Sequence, residues 1–214
     1  MKPLVVAITG ASGAPYAVRL VDVLTEAGRD VHLTISSAGN TVLQHELGIR
    51  IHLNDFDVAA FGKIGGGTCR FLDNTNSIDF GSRAGRIHYY HFSDFMAPIA
   101  SGSFLTDGMA ICPCSGSTLS AVVTGASNNL IQRAADVHLK ERRPLVLIPR
   151  EAPLSIVQLE NMKRASEIGA VMLPAMPGWY HNVQTPHDLV DFMVARVLDQ
   201  LNVAHVLVKR WGEA

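Results

Sequence analysis

Cysteine is scarce in this chain: Cys69, Cys112 and Cys114 are the only three in 214 residues. So few thiols cannot form the paired framework that staples small secreted domains, and Cys112-Pro113-Cys114 places one residue between its thiols where zinc and redox motifs need two. Neither a disulfide scaffold nor a metal centre is expected. An excess of one charge sign is missing as well, since 18 Lys and Arg against 19 Asp and Glu leave a formal net charge of -1. Nothing therefore draws the whole chain to nucleic acid or to an anionic membrane, and an anion must be met by a few local cations. The expected partner is a small molecule. Long apolar runs are absent too: the stretch after Lys2 has the length of a strand, short of a signal-peptide core or a membrane span. A cytoplasmic protein is expected. No linker-like segment divides the sequence, and a hydrophobic content of 48% suffices for one substantial core, so residues 1–214 are read as one domain.

What is present begins with LVVAIT, Leu4 to Thr9, which passes directly into Gly10-Ala11-Ser12-Gly13-Ala14-Pro15 and the amphipathic YAVRLVDVLTEAG. A buried strand turning on small residues into a helix offers free backbone N–H groups and the positive end of a helix dipole, which is a phosphate cradle. Pro15 suits the first helical turn, where its missing N–H is not needed. Further strands are read at Val31 to Ile35, Met109 to Cys112, Pro144 to Ile148 and in AVMLP from Ala170. Helices are read at about Ala38 to Leu47, Thr118 to Thr124, Leu130 to Lys140, Ile156 to Ile168 and from Thr185 to about Leu201. Near-continuous apolar strands alternating with helices predict an α/β fold, a single-domain doubly wound, Rossmann-like or flavodoxin-like, mostly parallel sheet with helices on both faces. Between Ile51 and Ile87 no period is sustained. The Gly-rich part, about 62–85, reads as a long mobile loop or insertion serving as a lid or an assembly element.

Small, polar and charged residues collect after the strands: Ser12, Ser36, Ser115 to Thr118, Arg150 with Glu151, and Tyr180. In a doubly wound sheet those ends lie along one edge, so the residues converge on one crevice. Gly10-Ala11-Ser12-Gly13 lacks the glycine spacing of a dinucleotide fingerprint and no Gly-Lys-Ser/Thr follows, which favours a mononucleotide or flavin phosphate. A nucleophile elbow fails at Ala14, and His45-Glu46 fails as a zinc-protease helix because Ile49 stands where the second His belongs. The remaining histidines are read as caps or surface positions. Arg133 and Lys140, seven apart on one helix, share a face and are expected to serve one anion.

Several long segments, TGASGAPYAVRL, FMAPIASGSF, AICPCSGSTLSAVVTGASNNLIQRAADVHLKERRPLVLIPREAPLS, GAVMLPAMPGWYH, DLVDFMVARVLDQL and the terminal RW, closely resemble the UbiX-type flavin prenyltransferases. These belong to a larger set of homo-oligomeric flavin-containing cysteine decarboxylase-like proteins. The resemblance covers nearly the whole chain apart from the Gly-rich middle. It implies metal-independent transfer of a dimethylallyl group from dimethylallyl monophosphate to N5 and C6 of reduced FMN, giving prenylated FMN for a partner UbiD-like decarboxylase. It further implies a homo-oligomer, with a dodecamer expected. Carried over, Gly10, Ala11, Ser12, Ser36, Ser115, Gly116, Ser117, Thr118 and Arg150 would hold FMN. Arg133, Lys140, Tyr180, Arg196 and Trp211 would hold the prenyl phosphate, some reaching in from neighbouring subunits. Glu46 and Glu151 would handle protons, with Ser12 beside them, and Phe95 would be an aromatic wall where the family often shows Trp. The alternatives are an FMN-dependent decarboxylase and a non-catalytic FMN-binding accessory protein. Against the first stands the Lys-Arg-Tyr set, which suits a phosphate better than a cysteine substrate.

Overall fold

The computed structural model describes residues 1–69, 77–210 and 212. Its centre is β1 (Leu4–Ile8), buried along its whole length. Leu4, Val6 and Ile8 face one core and Val5 and Ala7 the other, so the period of a strand distributes one apolar run between two layers. Each fully buried aliphatic side chain contributes about 1.5–3 kcal/mol, so this strand anchors both layers at once. Around it lie β2 (Val31–Ile35), β3 (Ile87–His91), β4 (Gly108–Cys114), β5 (Leu145–Pro149) and β6 (Val171–Met172). The order is β3-β2-β1-β4-β5-β6, and all five pairings are parallel. The chain thus winds outward in both directions from the β1/β4 junction, the switch point at which doubly wound sheets hold ligands.

On one face pack α1 (Ala14–Glu26), α2 (Ser37–Leu47) and α7 (Pro186–Gln200), and on the other α4 (Gly116–Thr124), α5 (Leu130–Lys140) and α6 (Ile156–Glu167). Most helix starts follow the local chemistry expected of them. Ser36, Ser115, Asn129 and Ser155 each accept a hydrogen bond from the backbone N–H three residues on, and Gly48 closes α2 in the left-handed region at φ 69°. At α7 the Asp188 carboxylate accepts from the Gln184 and Thr185 N–H groups, which holds it below the ordinary aspartate range.

Four expectations need correction. β3 was not anticipated: IHYYH is a half-buried edge strand whose polar and aromatic residues carry no strong apolar signal. AVMLP forms only two residues of strand. Histidines are not all superficial: His32 and His138 are buried and pushed down to about 4 by burial, His32 stacking on His88 and Tyr90, and His138 bonded to the Ala134 carbonyl and Thr106. Lastly, the described flanks of the Gly-rich segment are docked rather than loose. After α3 (Val58–Phe61), the N–H groups of Gly65, Thr68 and Cys69 donate to the Leu47, His45 and Glu46 carbonyls, filling acceptors that the end of α2 leaves open. Phe61 and Phe80 bury their rings beneath. Residues 70–76 of this segment lie outside the described residues.

Candidate active site

At the switch point one threonine ties the two central strands. The Thr9 hydroxyl donates to the Pro113 carbonyl at 2.8 Å and accepts from the Ser115 N–H at 2.8 Å, so the turn after β1 and the start of α4 are one unit. Ser115 Oγ in turn lies 3.1 Å from Ser117 Oγ and 3.0 Å from Thr118 Oγ1. Gly116 and Ser117 are exposed in the first turn of α4, and Ser36 caps α2 on the other side of β1. Gly10 has a packing role as well: a Cβ there would meet Ala38 Cβ at 2.5 Å, so its lack of a side chain lets the β1 turn approach α2.

The first turn differs from the simple phosphate cradle expected of it. The Glu46 carboxylate, 8% exposed on α2, accepts from the Gly13 N–H at 3.0 Å and the Ala14 N–H at 2.8 Å. A side-chain anion therefore already complements the positive end of α1, and a ligand phosphate must look to Ser12, Ser36 and the first turn of α4. The reason is geometric: α2 ends on the α1 side of the sheet, which sequence spacing between Gly13 and Glu46 does not disclose.

Beside this carboxylate is a cavity of 310 Å³ whose walls include Ser12, Gly13, Tyr16, Glu46, Cys69 and Arg150, with Pro186, Leu189 and Val190 of α7 closing it. Tyr16 was not anticipated, although its place directly after Pro15 in the first turn of α1 is the local signal for it. Burial pushes its phenol up, Cys112 and Glu46 add to the effect, and Arg150 works against it. Tyr16 is accordingly an O–H donor at neutral pH. Arg150 is exposed at the rim, and Glu151 follows it, also exposed, with its carboxylate 3.3 Å from the Ala152 N–H.

The remaining expected residues are not gathered into that cavity. Tyr180 and Arg196 line a separate one of 310 Å³ at the end of α7, together with His181, Asp199, His205, Lys209 and Arg210. Trp211 lies outside the described residues. Arg133 and Lys140 have different partners within the chain. Arg133 donates to the Ala100 carbonyl at 3.1 Å and pairs with Asp136, while Lys140 lies 3.4 Å from Glu141. Phe95, 48% exposed on the turn after β3, walls neither cavity. A cleft of 440 Å³ on the outer side of α1 is occupied by charges that satisfy each other: Arg19 pairs with Asp191 at 2.7 Å and Asp22 at 2.8 Å, and Arg83 pairs with Asp22. Among the described residues no group of three or more His, Cys, Asp or Glu could hold a metal ion, and no helix is long and apolar enough to cross a membrane.

Comparison with known proteins identifies the family. Residues 1–198 match the model of the Flavoprotein family. Flavin prenyltransferase UbiX of Pseudomonas aeruginosa is 49% identical over 210 residues, 98% of this chain and 94% of that protein. UbiX of Thermoplasma acidophilum is 42% identical, over 97% of this chain and 99% of that protein. Among solved structures, AnUbiX in complex with FMN and dimethylallyl pyrophosphate superposes with a TM-score of 0.79 at 33% identity, covering 100% of this chain and 98% of that one.

Proposed function

Because the chain belongs to the Flavoprotein family, and within it to the UbiX flavin prenyltransferases, we propose that it transfers a dimethylallyl group from dimethylallyl monophosphate to reduced FMN, without a metal. The observation that carries this reading is near full-length similarity to UbiX proteins combined with the gathering of small, donor-rich turns at one sheet edge beside Glu46, Tyr16 and Arg150. Those turns fit a flavin mononucleotide: Ser12, Ser36 and Ser115 to Thr118 supply hydroxyls and helix N-termini for its phosphate, and Arg150 a cation. Gly10, Ala11 and Gly116 keep the same edge free of bulky side chains.

When bound, the reduced flavin supplies the nucleophilic N5 and the ring carbon C6. The protein's task is then to manage charge and protons. Breaking the allylic C–O bond leaves a delocalised cation and a phosphate that gains charge, so cations such as Arg196 stabilise the departing group most as the bond breaks. Glu151, exposed beside Arg150, gives a proton to the departing phosphate and later takes one back. Two backbone donors hold the Glu46 carboxylate in place, and Tyr16 keeps its proton, so the cavity meets the reacting groups with an oriented carboxylate and a phenol donor. Arg133, Lys140 and Phe95 meet the site from neighbouring subunits, since their own chain directs them elsewhere. A homo-oligomer follows, and a solved Escherichia coli relative, 37% identical, is dodecameric. We place the enzyme in the cytoplasm, handing prenylated FMN to a UbiD-like decarboxylase.

That Escherichia coli relative is described as an FMN-dependent decarboxylase, which keeps direct decarboxylation as the second reading. Anaerobic incubation with reduced FMN, dimethylallyl monophosphate and EDTA, followed by mass spectrometry of the flavin, separates the two. A flavin heavier by one prenyl unit is expected. An unmodified flavin, or a product that requires an added divalent ion, would overturn the proposal.

A further inference from the structure

The cavity at the end of α7 contains a carboxylate that the proposed reaction does not use. Asp199, in the last turn of α7, accepts from Arg196 Nη1 at 2.8 Å through one oxygen. Through the other it accepts from His205 Nε2 at 3.1 Å and Arg210 Nη2 at 3.0 Å. The last two donors come from the segment after the helix, which Asn202, at φ 54°, turns back. The Val203 N–H then donates to the Leu198 carbonyl, Val203 is buried, and the His205 side chain is 2% exposed. The segment is thereby strapped along α7, and its Lys209 and Arg210 reach the same cavity as Arg196 and Tyr180.

We infer that Asp199 is a positioning residue for the prenyl phosphate: it joins Arg196 of the helix to His205 and Arg210 of the returning segment, so that cations distant in sequence form one wall. The inference rests on reading the Tyr180 and Arg196 cavity as the phosphate site. Charge supports it. Among the described residues that line the cavity, Arg196, Lys209 and Arg210 are cationic and Asp199 is the one carboxylate. A phosphate monoester carries about -1.5 to -2 near pH 7, opposite in sign to these three side chains. An exposed ion pair alone would have little consequence, but here one carboxylate is shared by three donors and one of them is buried. Without Asp199 the two guanidinium groups repel each other and the strap keeps only its Val203 anchor.

Two effects of removing the charge oppose each other, and this makes the test decisive. A cavity one unit more positive should attract phosphate better, whereas a dispersed wall should hold it worse. For Asp199→Asn, of equal size, the inference predicts a KM for dimethylallyl monophosphate raised about tenfold, a kcat lowered no further than in Arg196→Ala, and FMN affinity unchanged by flavin fluorescence. Asp199→Glu should recover part of the loss, and His205→Gln, which keeps a donor, should be milder than His205→Ala. An unchanged or lowered KM in Asp199→Asn overturns the inference, because the carboxylate is then a bystander or a competitor of the phosphate. Loss of FMN binding in the same variant also overturns it, by making Asp199 a general brace of the fold. Arg196→Ala, measured in parallel, keeps the premise separate: if its KM does not rise, the reading of the cavity fails, whereas a rise there with no rise in Asp199→Asn removes only the role of Asp199.

Discussion

The sheet-edge cavity and the cavity at the end of α7 have equal volumes, yet one is walled chiefly by turns, small side chains and a carboxylate pinned to backbone, the other by long charged side chains and aromatic rings. In the first, the Gly13 and Ala14 N–H groups hold Glu46, so its carboxylate is fixed by a helix start. In the second, Arg196, His205 and Arg210 are oriented by one another and by Asp199. The difference fits two kinds of ligand. A planar cofactor that must lie still is served by rigid backbone, whereas a phosphate that arrives, departs and changes charge is served by side chains that adjust.

The strongest way to break this division is at the junction of chemistry and binding. Glu151→Gln is expected to slow prenyl-flavin formation about a hundredfold or more, as for loss of a general acid and base, while leaving FMN binding intact. Single-turnover mass analysis checks it, and an unchanged rate removes Glu151 from proton transfer. Next, Arg196→Ala should weaken the prenyl phosphate by roughly 1.5–3 kcal/mol, about 10- to 150-fold, without touching FMN. Calorimetry that finds FMN weakened and prenyl phosphate intact would reverse the assignment of the two cavities.

A third test is directed at the backbone-built side. Glu46→Ala leaves two N–H groups and the end of α1 without their carboxylate, at a cost of roughly 1–2 kcal/mol, seen as a lowered Tm. A variant as stable as the parent would mean that water replaces the carboxylate freely and that the turn is not rigid. The smallest effect concerns Phe95. An indole stabilises an allylic cation better than a phenyl ring by about 0.5–2 kcal/mol, so Phe95→Trp should keep FMN binding and maintain or raise the transfer rate. A rate at least tenfold lower, with FMN binding preserved, would show that ring shape rather than electrostatics governs that wall.

The legibility of the two regions differs for the same reason as their construction. Ser36, Ser115 and Arg150 were readable because each directly follows an apolar strand, and Ser12 because it lies in the turn after one, while a parallel sheet brings every strand's carboxyl end to one edge. Tyr16 carried only a weak local sign. Glu46 was named through resemblance, but its hold on Gly13 and Ala14 crosses 33 and 32 residues of sequence. The Asp199 cluster left no sign, since a histidine and two arginines around an aspartate near a chain end read as an ordinary solvated surface. β3 escaped because its apolar pattern is weak at a sheet edge, and the Gly-rich flanks were misjudged because their partners are the open carbonyls of α2 rather than anything nearby in sequence.

Local chemistry thus sufficed for the parallel α/β class, the helix caps and the crevice at the strand ends, because strand period, capping and parallel winding act over a few residues or follow from topology. The division into a backbone-built and a side-chain-built cavity, the carboxylate placed on the first turn, the hold of the Ala100 carbonyl on Arg133 and the strap on α7 arose only from packing. Each depends on which helices lie side by side and on where a returning segment stops, and those are settled by burying apolar surface across the whole chain.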